Sequence, residues 1–299
     1  MADTVKRPQR DTICAVIVTY NPDTAFPDRF GMIVEQVGSV VIVDNGSEPP
    51  ALDMLQSLPP RESTHLIFNE ENIGLASALN KGVERARELG ADWVLLLDHD
   101  TEPAGDMVES LAGVYDDYPQ KEKLAVIGSN YYNLDPQQPE YTFKPGDHSW
   151  VERKTVITAG SLIPLGVISR IGSFRDEFFI DHVDDEFCFR VRRYGFAVVM
   201  TRSALMKHAI GIRGRHRLPG YTVETSGHSP QRRYYMSRNF VVMAKEYLFR
   251  EPAWLIWKKY KLLKAVILIA AFEKDRANKL HHMLKGVWHG VIGQLGKLD

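Results

Sequence analysis

Three uninterrupted apolar runs, at residues 13–18, 40–43 and 94–97, constrain the fold of this chain more than any other feature. A strand with one wet face alternates apolar and polar residues. A continuous run suits a strand buried on both faces, as in a parallel sheet. Between the second and third runs, Leu75, Leu79, Val83, Ala86 and Leu89 recur at helical spacing, with Gly82 beside Val83, and predict a helix that Gly90 ends. Strand, helix, strand in that order predicts an α/β protein with Rossmann-like crossovers and a mostly parallel sheet flanked by helices. No G-x-G-x-x-G follows any of the runs, so the dinucleotide fingerprint is missing.

Farther along, residues 125–128 read as another core strand, 156–163 as strand, turn and a further apolar stretch, and 197–200 as the last strand. Residues 136–146 read as a polar, proline-bearing loop. Basic residues then gather: Lys207, His208, Arg213, Arg215, His216 and Arg217. The last third is helical. Residues 232–249 have helix-forming composition, and Pro252 suits a first helical position. The helix it opens carries Trp254, Trp257 and Tyr260 beside Lys258, Lys259, Lys261 and Lys264. Beyond it, Leu280, Leu284, Val287, Trp288, Val291 and Leu295 form an apolar stripe. Such helices pack onto the body of the protein or onto a second copy in a homo-oligomer. The mixture of aromatics and lysines also suits peripheral contact with a membrane surface.

A formal net charge of −1 speaks against a nucleic-acid partner despite the arginine cluster. The first ten residues lack an apolar core, so no secretory leader is expected, and the run at 265–272 is too short to span a bilayer. Cys14 and Cys188, the only two cysteines, sit in apolar surroundings without metal-ligand spacing. They read as small core residues of a reduced, cytoplasmic protein.

The three runs end in chemistry. Asp98-His99-Asp100 sits directly behind the third. Two carboxylates flanking one residue can hold a divalent cation, and through it a diphosphate. A turn or helix cap is the plainer use of the same residues. Thr19-Tyr20-Asn21 ends the first run and Asp44-Asn45-Gly46-Ser47 the second, again with small polar groups. Neighbouring parallel strands align such ends along one crevice, where ligands bind in open α/β sheets. There Asp44 can accept from a nucleobase imide or a ribose hydroxyl, and uracil and thymine offer it the same imide edge.

The ordered set V-T-Y-N (18–21), V-D-N-G-S (43–47), N-x-G (72–74), N-K-G (80–82) and L-D-H-D (97–100) resembles the inverting glycosyltransferases with the GT-A fold. T-A-G-S-L-I (158–163), F-F-I-D-H-V-D-D-E-F-C-F-R (178–190) and R-R-Y-Y-M-S-R-N (232–239) are similar to bacterial rhamnosyltransferases of that family. The resemblance implies a GT-A catalytic domain over 12–245, with a nucleotide-binding half at 12–100 and an acceptor half at 101–245. A flexible N-terminus (1–11) precedes it and a C-terminal amphipathic helical extension (246–299) follows.

The same resemblance implies residue roles. Thr19, Tyr20, Asn21, Asp44, Asn45, Asn72, Gly74, Lys81, Asp98 and Arg238 would contact the donor nucleotide. Asp100 and His208 would hold Mg²⁺ or Mn²⁺. Asp184 would be the general base that inverting transfer requires. Many relatives carry Glu-Asp where this chain has Val183-Asp184-Asp185, so Asp185 stays an alternative, with Asp181 and Glu186 as near competitors. Gly160, Ser161, Asp185, Arg232, Tyr235 and Asn239 are the acceptor or diphosphate candidates. The implied reaction moves L-rhamnose from dTDP-β-L-rhamnose to a glycan or lipid-linked glycan of a bacterial surface polysaccharide, such as an O-antigen, at the inner face of the cell membrane. A UDP-sugar donor is the alternative, and a nucleotide-sugar-binding scaffold without turnover is the rival from another class.

Overall fold

The computed structural model describes residues 6–133, 138–144, 146, 148–208, 214–218 and 221–298. In chain order the elements are β1 (Ile13–Thr19), α1 (Phe26–Val34), β2 (Ser39–Asp44), α2 (Pro49–Gln56), β3 (Thr64–Phe68), α3 (Leu75–Glu88), β4 (Trp93–Asp98), β5 (Glu102–Pro103), α4 (Met107–Asp117), β6 (Leu124–Asn133), β7 (Gln138–Pro139), β8 (Trp150–Glu152), β9 (Ser161–Pro164), α5 (Leu165–Ile171), α6 (Val183–Arg193), β10 (Ala197–His208), β11 (Gly214–Leu218), β12 (Tyr221–Thr225), α7 (Pro230–Tyr247), α8 (Pro252–Phe272) and α9 (Arg276–Ile292). They divide between two compact units, one of residues 1–176 with 183–209 and one of residues 177–182 with 210–299.

The first unit is built on one sheet in the order β3-β2-β1-β4-β9-β6-β10-β5, with β7 on β6 and β8 on β10. β3, β2, β1 and β4 run parallel. All seven residues of β1 are buried, as its unbroken apolar run requires. α3 buries Ala76, Leu79, Val83 and Ala86 along one face and packs against β1 and β2. Trp93, fully buried at the start of β4, meets Tyr115 edge to face at 5.7 Å and donates its ring N–H to the carbonyl of Lys6. Cys14 and Cys188 are buried free thiols, and burial pushes both up, Cys14 to about 11.

Several expectations need correction. β3 is a parallel edge strand that no apolar run announces. Within 156–163 only Ser161 and the residues after it form a strand, because Gly160 turns the chain at φ +76. β9 then runs antiparallel between β4 and β6. The strand at 197–200 continues to His208, and the β11–β12 hairpin follows, so it is not the last. The loop at 136–146 and the basic cluster are covered only in part, since residues 134–137, 145, 147 and 209–213 lie outside the described residues.

The second unit holds the hairpin, α7, α8 and α9. The stripe expected to pack α9 mostly faces outward: Leu284, Trp288 and Val291 are 71%, 61% and 51% exposed, and Leu295 lies beyond the helix end. Its buried face is instead Lys279, Met283, Gly286 and Gly290. A Cβ on Gly286 would strike the Tyr234 carbonyl, and one on Gly290 would lie 2.7 Å from the Arg238 carbonyl. The two helices therefore touch backbone to backbone. Among the described residues, no helix is long and apolar enough to cross a membrane.

Candidate active site

The strand order reverses at β1, which has β2 on one side and β4 on the other. Ligands in open α/β sheets bind beyond the C-terminal strand ends at such a point. Here Thr19 lies level with Asp44, and Val18 with Asp98.

On the β2 side, Asp44 is fully buried, and its carboxylate ties the strand ends together. It accepts from the Thr19 hydroxyl at 2.9 Å, the Ser47 hydroxyl at 2.5 Å and the Ser47 amide at 2.9 Å. A nucleobase read by Asp44 would have to take over one of these bonds. Asn21 caps the same turn, receiving the Glu48 amide on its Oδ1 at 2.7 Å, while Tyr20 is exposed. An amide network continues outward. Asn45 donates to Asn72 Oδ1 at 3.0 Å and accepts from the Ile73 amide at 3.1 Å, and Asn72 Oδ1 also receives the Gly74 amide at 2.9 Å. Asn69 donates to Asn45 at 3.3 Å and accepts from Lys81 Nζ at 2.5 Å. The expected donor residues of the first hundred thus stand around one strand edge.

On the β4 side, Asp98, Asp100 and His208 each offer a ligand atom, all within 4.8 Å of one another. His208 Nδ1 is 3.4 Å from Asp100 Oδ1, and Nε2 is 3.9 Å from Asp98 Oδ2. β5 makes this meeting possible. It begins two residues after Asp100 and pairs antiparallel with the end of β10, Lys207 opposite Glu102, so His208 is delivered to the acidic loop. Burial drives the His208 imidazole down, but Asp100 and Asp98 outweigh it and hold its pKa above the ordinary value. Burial raises the Asp100 carboxyl, and His208 overturns that too, leaving it low. Asp100 Oδ1 is buried and accepts no well-formed hydrogen bond, its neighbour being His208 Nδ1 at 3.4 Å. Two carboxylates and an imidazole, with one oxygen unsatisfied, fit a hard divalent cation. Asp98 stands in this cluster, as the two flanking carboxylates of the sequence allowed, although the family resemblance had placed it at the donor nucleotide.

Arg29 is a residue the sequence reading missed. Its Nε donates to the carbonyl of His99 at 2.8 Å, between the two carboxylates, and its other arm pairs with Asp23. An arginine two turns of chain away from any motif carries no signal by itself.

Along α6, three acids occupy the first turn, where the helix dipole favours them. Glu186 is buried and engaged by Arg190 at 2.9 Å, whose guanidinium also serves the carbonyls of Ile171, Gly172 and Ser173. Asp185 is buried at 6% exposure. Asp184 is the partly exposed member, and its Oδ1 receives the Asp185 amide at 2.9 Å. Gly160 turns the chain into β9, and Ser161, buried at the start of that strand, donates its hydroxyl to the Ile157 carbonyl.

The R-R-Y-Y-M-S-R-N motif, in the second unit, has a use that spacing did not reveal. Arg238, expected at the donor, is fully buried and donates to the carbonyls of Glu177, Phe178 and Gly296. Asn239, also buried, donates to Phe178, Ile180 and Asp181 at 2.9 Å each. Tyr235 stacks on Phe179 at 4.7 Å, and its hydroxyl receives the Leu298 amide. Only Arg232 is exposed, 3.3 Å from Asp181. Together they clamp residues 177–182, where Phe179, Asp181 and His182 hold positive φ.

A family model described as glycosyl transferase family 2 matches residues 14–163. The dTDP-rhamnosyl transferase RfbF of Shigella flexneri is 29% identical over 300 residues, 95% of this chain and 96% of that protein. Among solved structures, residues 1–349 of S. aureus TarS superpose with a TM-score of 0.59 at 12% identity, covering 94% of this chain and 81% of that one. The mannosyltransferase PcManGT of Pyrobaculum calidifontis, in complex with GDP-Man and Mn²⁺, gives 0.55 at 14%, covering 95% and 88%. These structural likenesses carry the fold alone, and the fold is that of the GT-A glycosyltransferases.

Proposed function

The chain belongs to glycosyl transferase family 2, and on that premise we propose that it transfers L-rhamnose, with inversion, from dTDP-β-L-rhamnose to a glycan acceptor. The observation that carries the reading is the Asp98–Asp100–His208 cluster at the edge where Thr19 and Asp44 end their strands and Asn45 follows. The sugar and base are inferred from the likeness to the Shigella enzyme, which spans nearly all of both chains. The acceptor is a surface glycan, free or lipid-linked, met on the cytoplasmic side of the membrane.

Asp98, Asp100 and His208 would hold Mg²⁺ or Mn²⁺, whose positive charge would make the nucleoside diphosphate a better leaving group. The network of Asn45, Asn69, Asn72 and Lys81 orients the nucleotide, and Asp44 keeps the two strand ends in register around it. Asp184 is the carboxylate of its cluster that remains partly open, and it takes the acceptor proton. The acceptor oxygen forms its bond to C1 as the bond from C1 to the diphosphate oxygen breaks on the opposite face, so a β donor yields an α product. The departing dTDP carries away the electron pair.

The test is transfer by purified protein from dTDP-rhamnose and from UDP-glucose, UDP-galactose and UDP-N-acetylglucosamine, with Asp184→Asn alongside. The expected result is turnover with dTDP-rhamnose, cut by about 10²–10⁴-fold in Asp184→Asn while calorimetric affinity for dTDP is retained. Turnover with a UDP-sugar alone would refute the donor. A wild type that binds dTDP-rhamnose yet transfers to no glycan would leave a scaffold.

A further inference from the structure

α8 has no acidic residue and four lysines, Lys258, Lys259, Lys261 and Lys264, in a chain whose net charge is −1. Its inward side buries Trp254, Leu255 and Ile269. Its outward side is apolar as well. Ile256, Tyr260, Leu263 and Ile267 recur at i, i+4, i+7 and i+11, which is one helical face, and are 70%, 63%, 54% and 66% exposed. At helical pitch, exposed Lys259 and Lys264 border that face on opposite sides. Trp257 lies beside it, with Lys261 Nζ 3.7 Å above its ring and Lys258 at 5.6 Å.

A large apolar face left in water points to a partner. We propose that this face of α8 lies on an anionic lipid bilayer, with the four apolar side chains in the headgroup–acyl boundary and Lys259 and Lys264 on lipid phosphates. Charge decides between lipid and a second copy. In a two-fold dimer the patch meets itself, which sets the bordering Lys259 and Lys264 of one copy against the same pair of the other, with no acid on the helix between them. An anionic surface attracts every one of them. Aromatic and lysine side chains are also the types that tolerate the interface, with ring or stem in the apolar layer and polar tip in water. The helix is too hydrophilic along its lysine segment to insert and cross. This reading concerns α8 alone and does not depend on the transferase reading.

The full chain is floated with vesicles of phosphatidylcholine and phosphatidylglycerol at 3:1, and with phosphatidylcholine alone. The expected result is recovery with the anionic vesicles, weakened by salt and by removing the anionic lipid. Lys259→Gln with Lys264→Gln should lower partition on the order of thirty-fold, and Ile256→Ser with Ile267→Ser more than ten-fold. All four positions are exposed, so thermal unfolding should match wild type and certify the fold. Equal flotation of wild type and both variants would overturn the proposal, as would no flotation of wild type. So would a dimer, by sedimentation equilibrium, that Ile256→Ser with Ile267→Ser dissolves.

Discussion

Arg29→Ala should weaken the cation site without touching any of its ligands. The Arg29 side chain is only 15% exposed, and its Nε reaches the His99 carbonyl at 2.8 Å. That carbonyl belongs to the short loop between Asp98 and Asp100, so the bond fixes how the two carboxylates face His208. A charged donor on a carbonyl stabilises its geometry by about 1.5–3 kcal/mol when water is largely excluded. Loss of a partner that orients metal ligands costs about 10–100-fold in affinity, or roughly 1.4–2.7 kcal/mol, which agrees with that range. Asp23 also loses its partner, but at 66% exposure it rehydrates at little cost. The assay is calorimetric titration of Mn²⁺ into the full chain saturated with dTDP, beside thermal unfolding without metal. Arg29→Lys keeps the charge but not the planar fork, and should fall between the two. A folded Arg29→Ala protein with wild-type Mn²⁺ affinity would refute the reasoning, because the His99 carbonyl would then be placed by something else.

Gly286→Ala should destabilise the second unit by about 1–3 kcal/mol, read as a lowered urea midpoint, because the added methyl meets the Tyr234 carbonyl rather than a yielding side chain. Asn239→Ala should strip the donor from three carbonyls at once, at about 1–3 kcal/mol, and speed amide exchange across 177–182 more than elsewhere. Burial brings the His228 imidazole down to about 4; Arg232 and Arg233 push the same way, while Asp181 and Glu273 oppose them. The unfolded chain therefore binds this proton first, near pH 6.5, so the stabilisation is whole above that pH and is lost as pH falls towards 4. At about 1.4 kcal/mol per pH unit the loss reaches about 3 kcal/mol. Denaturation of wild type and His228→Gln at pH 7 and 4.5 checks this, and an equal drop in both proteins would remove His228 as the cause.

Legibility in the sequence followed the physics of each segment. β1, β2 and β4 could be read because strands buried on both faces leave continuous apolar runs. β3 could not, since it is an edge strand: Leu66 and Phe68 are 38% and 41% exposed, and polar Thr64 and His65 break the run. β9 was half visible, but nothing local says that Ser161 and Leu162 will insert antiparallel between two distant strands. In the site, the carboxylates of Asp98 and Asp100 were plain from their place behind an apolar strand. His208 was reached only through a family likeness, because its contact with Asp100 depends on β5, a strand of two residues. Arg238 and Asn239 had the residue types of a phosphate grip, and burial turned them to backbone carbonyls instead.

What the sequence determined alone was the alternation of strands and helices, the polar chemistry at three strand ends, and a lysine-rich final third. Hydrophobic periodicity and turn residues are local properties and survive in a linear string. Tertiary structure decided which acids stay open, which arginines are enclosed, and which face of α8 and α9 meets water. Those outcomes depend on partners brought from far along the chain, and on the desolvation they impose, which no spacing within a single segment encodes.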